Sequence, residues 1–304
     1  MHQFRFFFFL CFCQISLLQT APRTLYMSDP IVPATQNTAL AIFIHGYGTD
    51  HSYFDTQEIN QHSYPFPWAR ITFYDAPKKR GLFWWTNFNM GQRGDAAQII
   101  SFLWDIQRNG YKKLVSMAHS RGGAAWISAL HMVWFPEDHP KFWKKFSRKL
   151  HIPQTTIIAR LQNLLQETTS ILVHPLLSIN SAAHCTFKRK YHLSSFSSNI
   201  FVAAYRTSLS ICSSYSLLFP EAIELLDELI ETKKFIGKIL LCQHDKIVGN
   251  EFDQLLIHRS YPPQYQAYHT NAPNHFCLKA GYLEVQAHLG NESISQTDAC
   301  SEVL

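Results

Sequence analysis

The feature that most constrains this chain is an abrupt change of pattern between residues 114 and 130. Leu114-Val115-Ser116-Met117 is an apolar, strand-like run. Ala118-His119-Ser120-Arg121-Gly122-Gly123 interrupts it, and Ala124-Ala125-Trp126-Ile127-Ser128-Ala129-Leu130 then reads as helix. Strand, serine, helix, in that order, is the sequence form of a nucleophile elbow. A serine hydroxyl is a poor nucleophile unless it is held exposed, beside a base, and near backbone N–H groups that can receive an oxyanion. Glycines flank such a serine because the neighbouring backbone passes too close for a Cβ and the turn needs torsions that few residues tolerate. The pentapeptide alone does not decide, because Ala118 stands where the usual first glycine would. A plain strand-to-helix turn with Ser120 as N-cap is satisfied by the same residues.

The downstream sequence adds an acid and a base. Lys238-Ile239-Leu240-Leu241-Cys242 is a short apolar strand followed by Gln243-His244-Asp245, which puts a carboxylate just past the strand's carboxyl end. Open α/β sheets carry functional groups there. Gln264-Tyr265-Gln266-Ala267-Tyr268-His269-Thr270 alternates like a last strand, and Asn271-Ala272-Pro273-Asn274 turns the chain into His275. Leu278, Tyr282, Val285 and Leu289 then share one face of a helix. The order is Ser120, Asp245, His275, each at a strand end.

With these residues in view the chain resembles the α/β-hydrolase superfamily, over roughly residues 38 to 290 with an unaligned gap in the middle. Upstream, the apolar strand Leu40-Ala41-Ile42-Phe43-Ile44 ends in His45-Gly46-Tyr47-Gly48, which is similar to the superfamily's His-Gly turn. Arg70-Ile71-Thr72-Phe73-Tyr74 followed by Asp75-Ala76-Pro77 is similar to its next strand. Ala118 in place of glycine is a departure shared with some lipases of the group. The resemblance implies a mainly parallel sheet with helices on both faces and a helical cap insertion. It also implies a serine esterase or lipase-like activity through Ser120, Asp245 and His275, with the backbone N–H groups of Tyr47 and Arg121 as the oxyanion hole, and it calls for no cofactor and no metal. Peptidase and acyltransferase chemistries use the same constellation. A catalytically silent binding module on the same fold is the alternative of a different class, against which the presence of all three residues argues.

Composition agrees with a folded enzyme of this size. A chain of 304 residues fits one α/β unit, and with 46% hydrophobic residues it can bury a large core. A net charge of +5 is too mild to argue for nucleic acid. The seven cysteines show no zinc spacing and are too dispersed for a disulfide scaffold.

The alternation of elements supports the same class. Strands are expected near 39–45, 69–74, 112–118, 169–179, 238–242 and 264–269. Helices are expected around Ile99, Phe102, Leu103 and Ile106, and around Leu226, Leu229 and Ile230. Alternating β and α implies a parallel sheet covered on both sides. Because about a dozen residues separate Met27 from the first of these strands, the amino-terminal antiparallel strands usual in the superfamily are expected to be missing or shortened.

The amino terminus has two readings. Phe6 to Leu18, after a basic start, is an apolar run of 13 residues, which is signal-peptide length and short for a bilayer span. Pro22 makes a poor cleavage site after Ala21, and Met27-Ser28-Asp29-Pro30 offers a second start. The protein is exported or membrane-associated in the first reading and cytoplasmic in the second. Both place residues 1–26 outside the fold, with 27–304 as the hydrolase domain.

Three further features carry paired readings. Segment 135–168 includes Lys141-Phe142-Trp143-Lys144-Lys145-Phe146-Ser147-Arg148-Lys149. It is either part of a cap whose 141–150 stretch touches an anionic membrane surface or lipid, or a solvated helix whose aromatics pack on the core. Residues 180–235 supply the remainder of the insert region. Gly81 to Phe88, with four aromatics, either lines an acyl pocket for an apolar small-molecule substrate or anchors a loop. Among sixteen histidines, His269 is the rival of His275 as base, but it falls within a strand pattern, whereas His275 falls in the loop before a helix. His45 and His119 stand beside the oxyanion and elbow positions as loop-orienting residues, and His244 is read as exposed or structural.

Overall fold

The structure is a computed structural model that describes residues 24–27, 39–46, 54, 67–72, 87–178, 181, 182, 185, 221–243 and 245–290. Among the described residues, seven strands form one sheet: β1 Thr24–Met27, β2 Ala39–Ile44, β3 Trp68–Thr72, β4 Lys113–His119, β5 Thr168–Val173, β6 Gly237–Cys242 and β7 Tyr265–Thr270. They lie in the order β1-β3-β2-β4-β5-β6-β7. β2 through β7 are mutually parallel, and β1 pairs antiparallel with β3 at one edge.

Parallel neighbours need crossovers, and helices supply them. Among the described residues these are α1 Asn87–Arg108, α2 Arg121–Trp134, α3 Pro140–Leu150, α4 Gln154–Gln166, α5 Ala222–Glu231 and α6 Asp253–His258, and α7 Lys279–Gly290 follows the last strand. The central strands β2, β4, β5 and β6 are buried nearly throughout because both faces are covered. On β2, Leu40, Ile42 and Ile44 pack into a core with α1, α2, α4 and α5, and Ala41 and Phe43 pack into a second core with α7 on the opposite face. Leu278, Tyr282 and Val285, the residues whose spacing signals the last helix, are the buried face of that second core. Burying a side chain of this size stabilises by about 1.5–3 kcal/mol. α7 is also pinned laterally, since Glu284 accepts from Lys238 of β6 and Tyr268 of β7.

Two sequence expectations change. β1 begins at Thr24, so the segment expected to lie outside the fold contributes its last residues to the sheet, pairing Thr24 with Thr72 and Met27 with Ala69. An antiparallel edge strand is therefore present, though only four residues long. β5 ends at Val173, well before residue 179, because His174 takes a left-handed φ of 45° and Pro175 follows.

Segment 135–168 forms a short 3-10 turn at Pro136–Asp138 and then α3 and α4. Trp143 and Phe146 are buried and Phe142 packs against the first core, while Lys141, Lys144, Lys145, Arg148 and Lys149 are exposed. Trp143 donates its indole N–H to the Met132 carbonyl at 3.0 Å, fastening α3 to the end of α2. The aromatics of α3 thus serve the core, and its outward face is basic. Most of 180–220 lies outside the described residues. Among the described residues, no helix is long and apolar enough to cross a membrane.

Candidate active site

β4 runs buried from Leu114 to His119, and the chain reverses sharply at Ser120, with φ 52° and ψ −120°. A non-glycine residue there costs of order 1–3 kcal/mol and persists only where its surroundings fix it. The Ser120 N–H donates to the Val173 carbonyl at 3.1 Å, and its own carbonyl accepts from Leu176 at 2.9 Å and Gly123 at 3.0 Å. Ser120 makes no side-chain cap hydrogen bond to α2, so the N-cap role open to it in the sequence is not the one it takes. Gly122 is required by close approach, since a Cβ there would lie 2.5 Å from the His45 carbonyl oxygen and 2.7 Å from that of Ile44. A Cβ on Gly46 would lie 3.1 Å from the Ser120 Cβ. The His-Gly turn after β2 therefore sits directly beside the serine.

Of the two expected oxyanion donors, Arg121 opens α2 immediately after Ser120, and Tyr47 lies outside the described residues. The Arg121 guanidinium pairs with Asp95 of α1, both side chains being buried. This ion pair has no counterpart in the sequence reading, because Asp95 sits 26 residues upstream in a helix that shows only its apolar face.

Asp245 follows β6 and His275 lies in the loop between β7 and α7. The His275 Nδ1 donates to Asp245 Oδ2 at 2.6 Å, and Asp245 Oδ1 accepts from the backbone N–H groups of Ile247 at 2.8 Å and Val248 at 3.0 Å. A carboxylate only accepts, so His275 Nδ1 carries the proton of this bond. Burial acts to raise the Asp245 carboxyl, but the His275 hydrogen bond and charge, with the Val248 and Ile247 N–H groups, outweigh it and hold Asp245 below its ordinary value. The rival base, His269, lies in β7 with Nδ1 3.5 Å from Asp253 Oδ2. His45 places its Nδ1 2.8 Å from the Gly46 carbonyl oxygen. His244, Asp75 and the side chains of the 81–88 aromatic cluster lie outside the described residues.

The neighbourhood also holds a residue that the sequence did not signal. His174, at the end of β5, places Nδ1 2.8 Å from the His275 carbonyl oxygen, and His119 places Nε2 2.9 Å from the same atom. Burial, with the adjacent His275 and His174 rings, pushes His119 well below its ordinary value. Burial likewise lowers His174 to about 4. Both are therefore neutral imidazoles near neutral pH.

Among the described residues, two groups bring metal-ligand atoms within 4.8 Å of one another: His119, His174 and His275, and His131, Asp138 and Glu228. In the first group His119 and His174 already serve as donors to a carbonyl. In the second, His131 Nε2 and Glu228 Oε2 are 2.8 Å apart, an ordinary hydrogen-bonded pair.

No family model matches the chain. No curated protein matches it either. Solved structures with a similar chain course include an esterase from Pyrococcus furiosus, 14% identical over 84% of this chain and 82% of that one, with a TM-score of 0.49. A lipase-esterase related protein from Clostridium acetobutylicum is 11% identical over 90% and 99%, with a TM-score of 0.46. A lipase from Bacillus licheniformis is 13% identical over 89% and 98%, with a TM-score of 0.43. Likeness at this level carries no weight for activity. The fold rests on the chain's own features: six parallel strands, an elbow after β4, and loops after β6 and β7 that reach the same sheet edge. The chain has the α/β-hydrolase fold.

Proposed function

We propose that the protein is a serine hydrolase that cleaves a carboxylic ester or thioester through an acyl-enzyme. The observation that carries this reading is the His275 to Asp245 hydrogen bond of 2.6 Å, at the sheet edge where Ser120 is held in an elbow with φ 52°. Ser120 Oγ attacks the acyl carbonyl while His275 Nε2 takes its proton. Asp245 holds the imidazole with Nδ1 protonated and stabilises the imidazolium as it forms. The N–H groups of Arg121 and Tyr47 receive the oxyanion, each such donor being worth about 3 kcal/mol. His275 then gives its proton to the leaving alcohol or thiol, and water hydrolyses the acyl-enzyme by the same steps with His275 as base again. The aromatic run from Leu82 to Phe88 is assigned to an apolar acyl group.

The test has two parts. A fluorophosphonate probe should label the wild type and not Ser120→Ala, and a series of aryl esters of increasing acyl length should show turnover with a preference for the longer chains. Labelling without turnover at any length would move the assignment to a peptidase or acyltransferase. A well-folded wild type that takes no label would overturn the hydrolase reading in favour of a binding module.

A further inference from the structure

His275 sits on a loop that must travel. It leaves β7, the edge strand, whereas Ser120 tops β4, with β6 and β5 between them. Three inter-strand steps of ~4.8 Å amount to roughly 14 Å across the carboxyl edge of the sheet. The loop's own hydrogen bonds are short-range, with Asn274 Oδ1 accepting from Phe276 N–H at 2.9 Å and the Asn274 carbonyl accepting from Cys277 N–H at 3.3 Å. Such bonds shape the turn but do not fix its place along the sheet edge.

The long-range ties come from three successive strand ends. Asp245, after β6, holds the His275 imidazole at 2.6 Å. His174, after β5, donates Nδ1–H to the His275 carbonyl oxygen at 2.8 Å, and His119, last residue of β4, donates Nε2–H to the same oxygen at 2.9 Å. We propose that His119 and His174 are positioning residues that clamp the main chain of His275 over Ser120, a role that rests on the reading of His275 as general base.

The geometry of the clamp supports this. A carbonyl oxygen only accepts, so the two bonds fix the tautomers of both donors. A single hydrogen bond leaves a peptide free to rotate about it. Two separate rings that each donate to the one oxygen restrain that rotation. The His119 and His174 ring centroids stand 4.8 Å and 5.8 Å from that of His275, and the two rings are only 1% and 2% exposed. The left-handed backbone of His174 is what turns its ring back over the sheet edge instead of letting the strand continue. Imidazole also suits the place chemically. A lysine or arginine would donate as well but would set a fixed cation beside the base, whereas buried imidazoles stay neutral there.

The experiment compares His119→Ala, His174→Ala and the space-filling His119→Leu and His174→Leu with variants that keep a donor at the same reach, His119→Gln and His174→Asn. Three quantities are measured on folded protein: kcat and KM on a short aryl ester, the rate of fluorophosphonate labelling, and the downfield proton resonance of His275 Nδ1–H. Loss of the donor should lower kcat and the labelling rate by about 10- to 100-fold, the effect of misplacing a reacting group by a fraction of an ångström to one ångström. KM should stay within about twofold, and the resonance should broaden or vanish. The donor-retaining variants should recover most of the rate. Donorless variants with wild-type kcat and an unchanged resonance overturn the clamp, and so does an equal loss in donorless and donor-retaining variants. If the wild type neither labels nor turns over, the hydrolase reading has failed, and the resonance alone judges the clamp: lost in the donorless variants it stands, unchanged it falls.

Discussion

Asp253, the first residue of α6, lines the same small pocket as Asp245, and the two carboxylates interact across it. Burial first, and the Asp245 charge second, push the Asp253 carboxyl up to about 7. Its side chain is only 8% exposed. Among the described residues its Oδ2 has no hydrogen-bond partner, and His269 Nδ1, 3.5 Å away, is not aligned to supply one. Near neutrality Asp253 is thus balanced between a tolerated neutral acid and a poorly housed anion.

The expected consequence is a loss of stability on the alkaline side. The unfolded chain releases this proton near the ordinary carboxyl value of 3.8, whereas the folded protein keeps it up to about 7. Folding therefore benefits fully below 3.8 and loses the benefit as pH rises through 7. Asp253→Asn should remove that slope, raising the melting temperature relative to wild type at pH 8 more than at pH 5. Equal shifts at both pH values would contradict the assignment.

His174 works in the opposite direction. Its imidazole is lowered to about 4 in the folded state against 6.5 for the free side chain. Its neutral form is favoured by the fold, so stability is complete above 6.5 and declines as pH falls from 6.5 through 4, by about 3 kcal/mol in all. Chemical denaturation of wild type and His174→Asn at pH 7 and pH 4.5 checks this. The difference between the two pH values should shrink in the variant.

Asp245→Asn separates orientation from folding. The amide oxygen can still accept from Ile247 and Val248 N–H, so the turn after β6 should survive. The other side of the amide cannot hold His275 Nδ1–H as a carboxylate does. Labelling by fluorophosphonate should slow by roughly 10³- to 10⁴-fold with the melting temperature lowered only modestly. A rate within tenfold of wild type would show that Asp245 is not the orienting acid.

The Asp95 and Arg121 pair should matter for the elbow. Asp95→Ala leaves the Arg121 guanidinium buried without this partner, which costs about 3–5 kcal/mol in comparable sites. Equilibrium denaturation gives the figure directly, and a change below about 1 kcal/mol would mean that solvent or another group takes the place of Asp95. Gly122→Ala should be at least as damaging, because the added Cβ meets main-chain oxygens of β2 that cannot move without the sheet.

The elements legible in the sequence are those whose signal is local. The apolar runs at 40–44, 114–118 and 238–242 are strands because both faces of the sheet are covered, and the spacing of Leu278, Tyr282 and Val285 marks α7 because one face of it is buried. The break at Ser120 was visible for the same reason, since a strand, a serine and two glycines in succession admit few backbone paths. Asp245 and His275 could be picked out because each follows within a few residues of a strand end.

What the sequence could not display is whatever depends on elements far apart in the chain meeting in space. β1 carries a four-residue pattern too short to read, and only pairing with β3 makes it a strand. The end of β5 depends on a single left-handed residue that neither composition nor periodicity marks. His119 and His174 lie 156 and 101 residues from His275, and Asp95 lies 26 residues from Arg121. By itself the sequence determined the class of fold and three candidate residues at strand ends, because hydrophobic period and turn chemistry act over a few residues. The convergence of three histidines on one another, the ion pair under the elbow and the second carboxylate beside Asp245 were decided by tertiary structure, because hydrogen bonds and charge act over ångströms of space and take no account of distance along the chain.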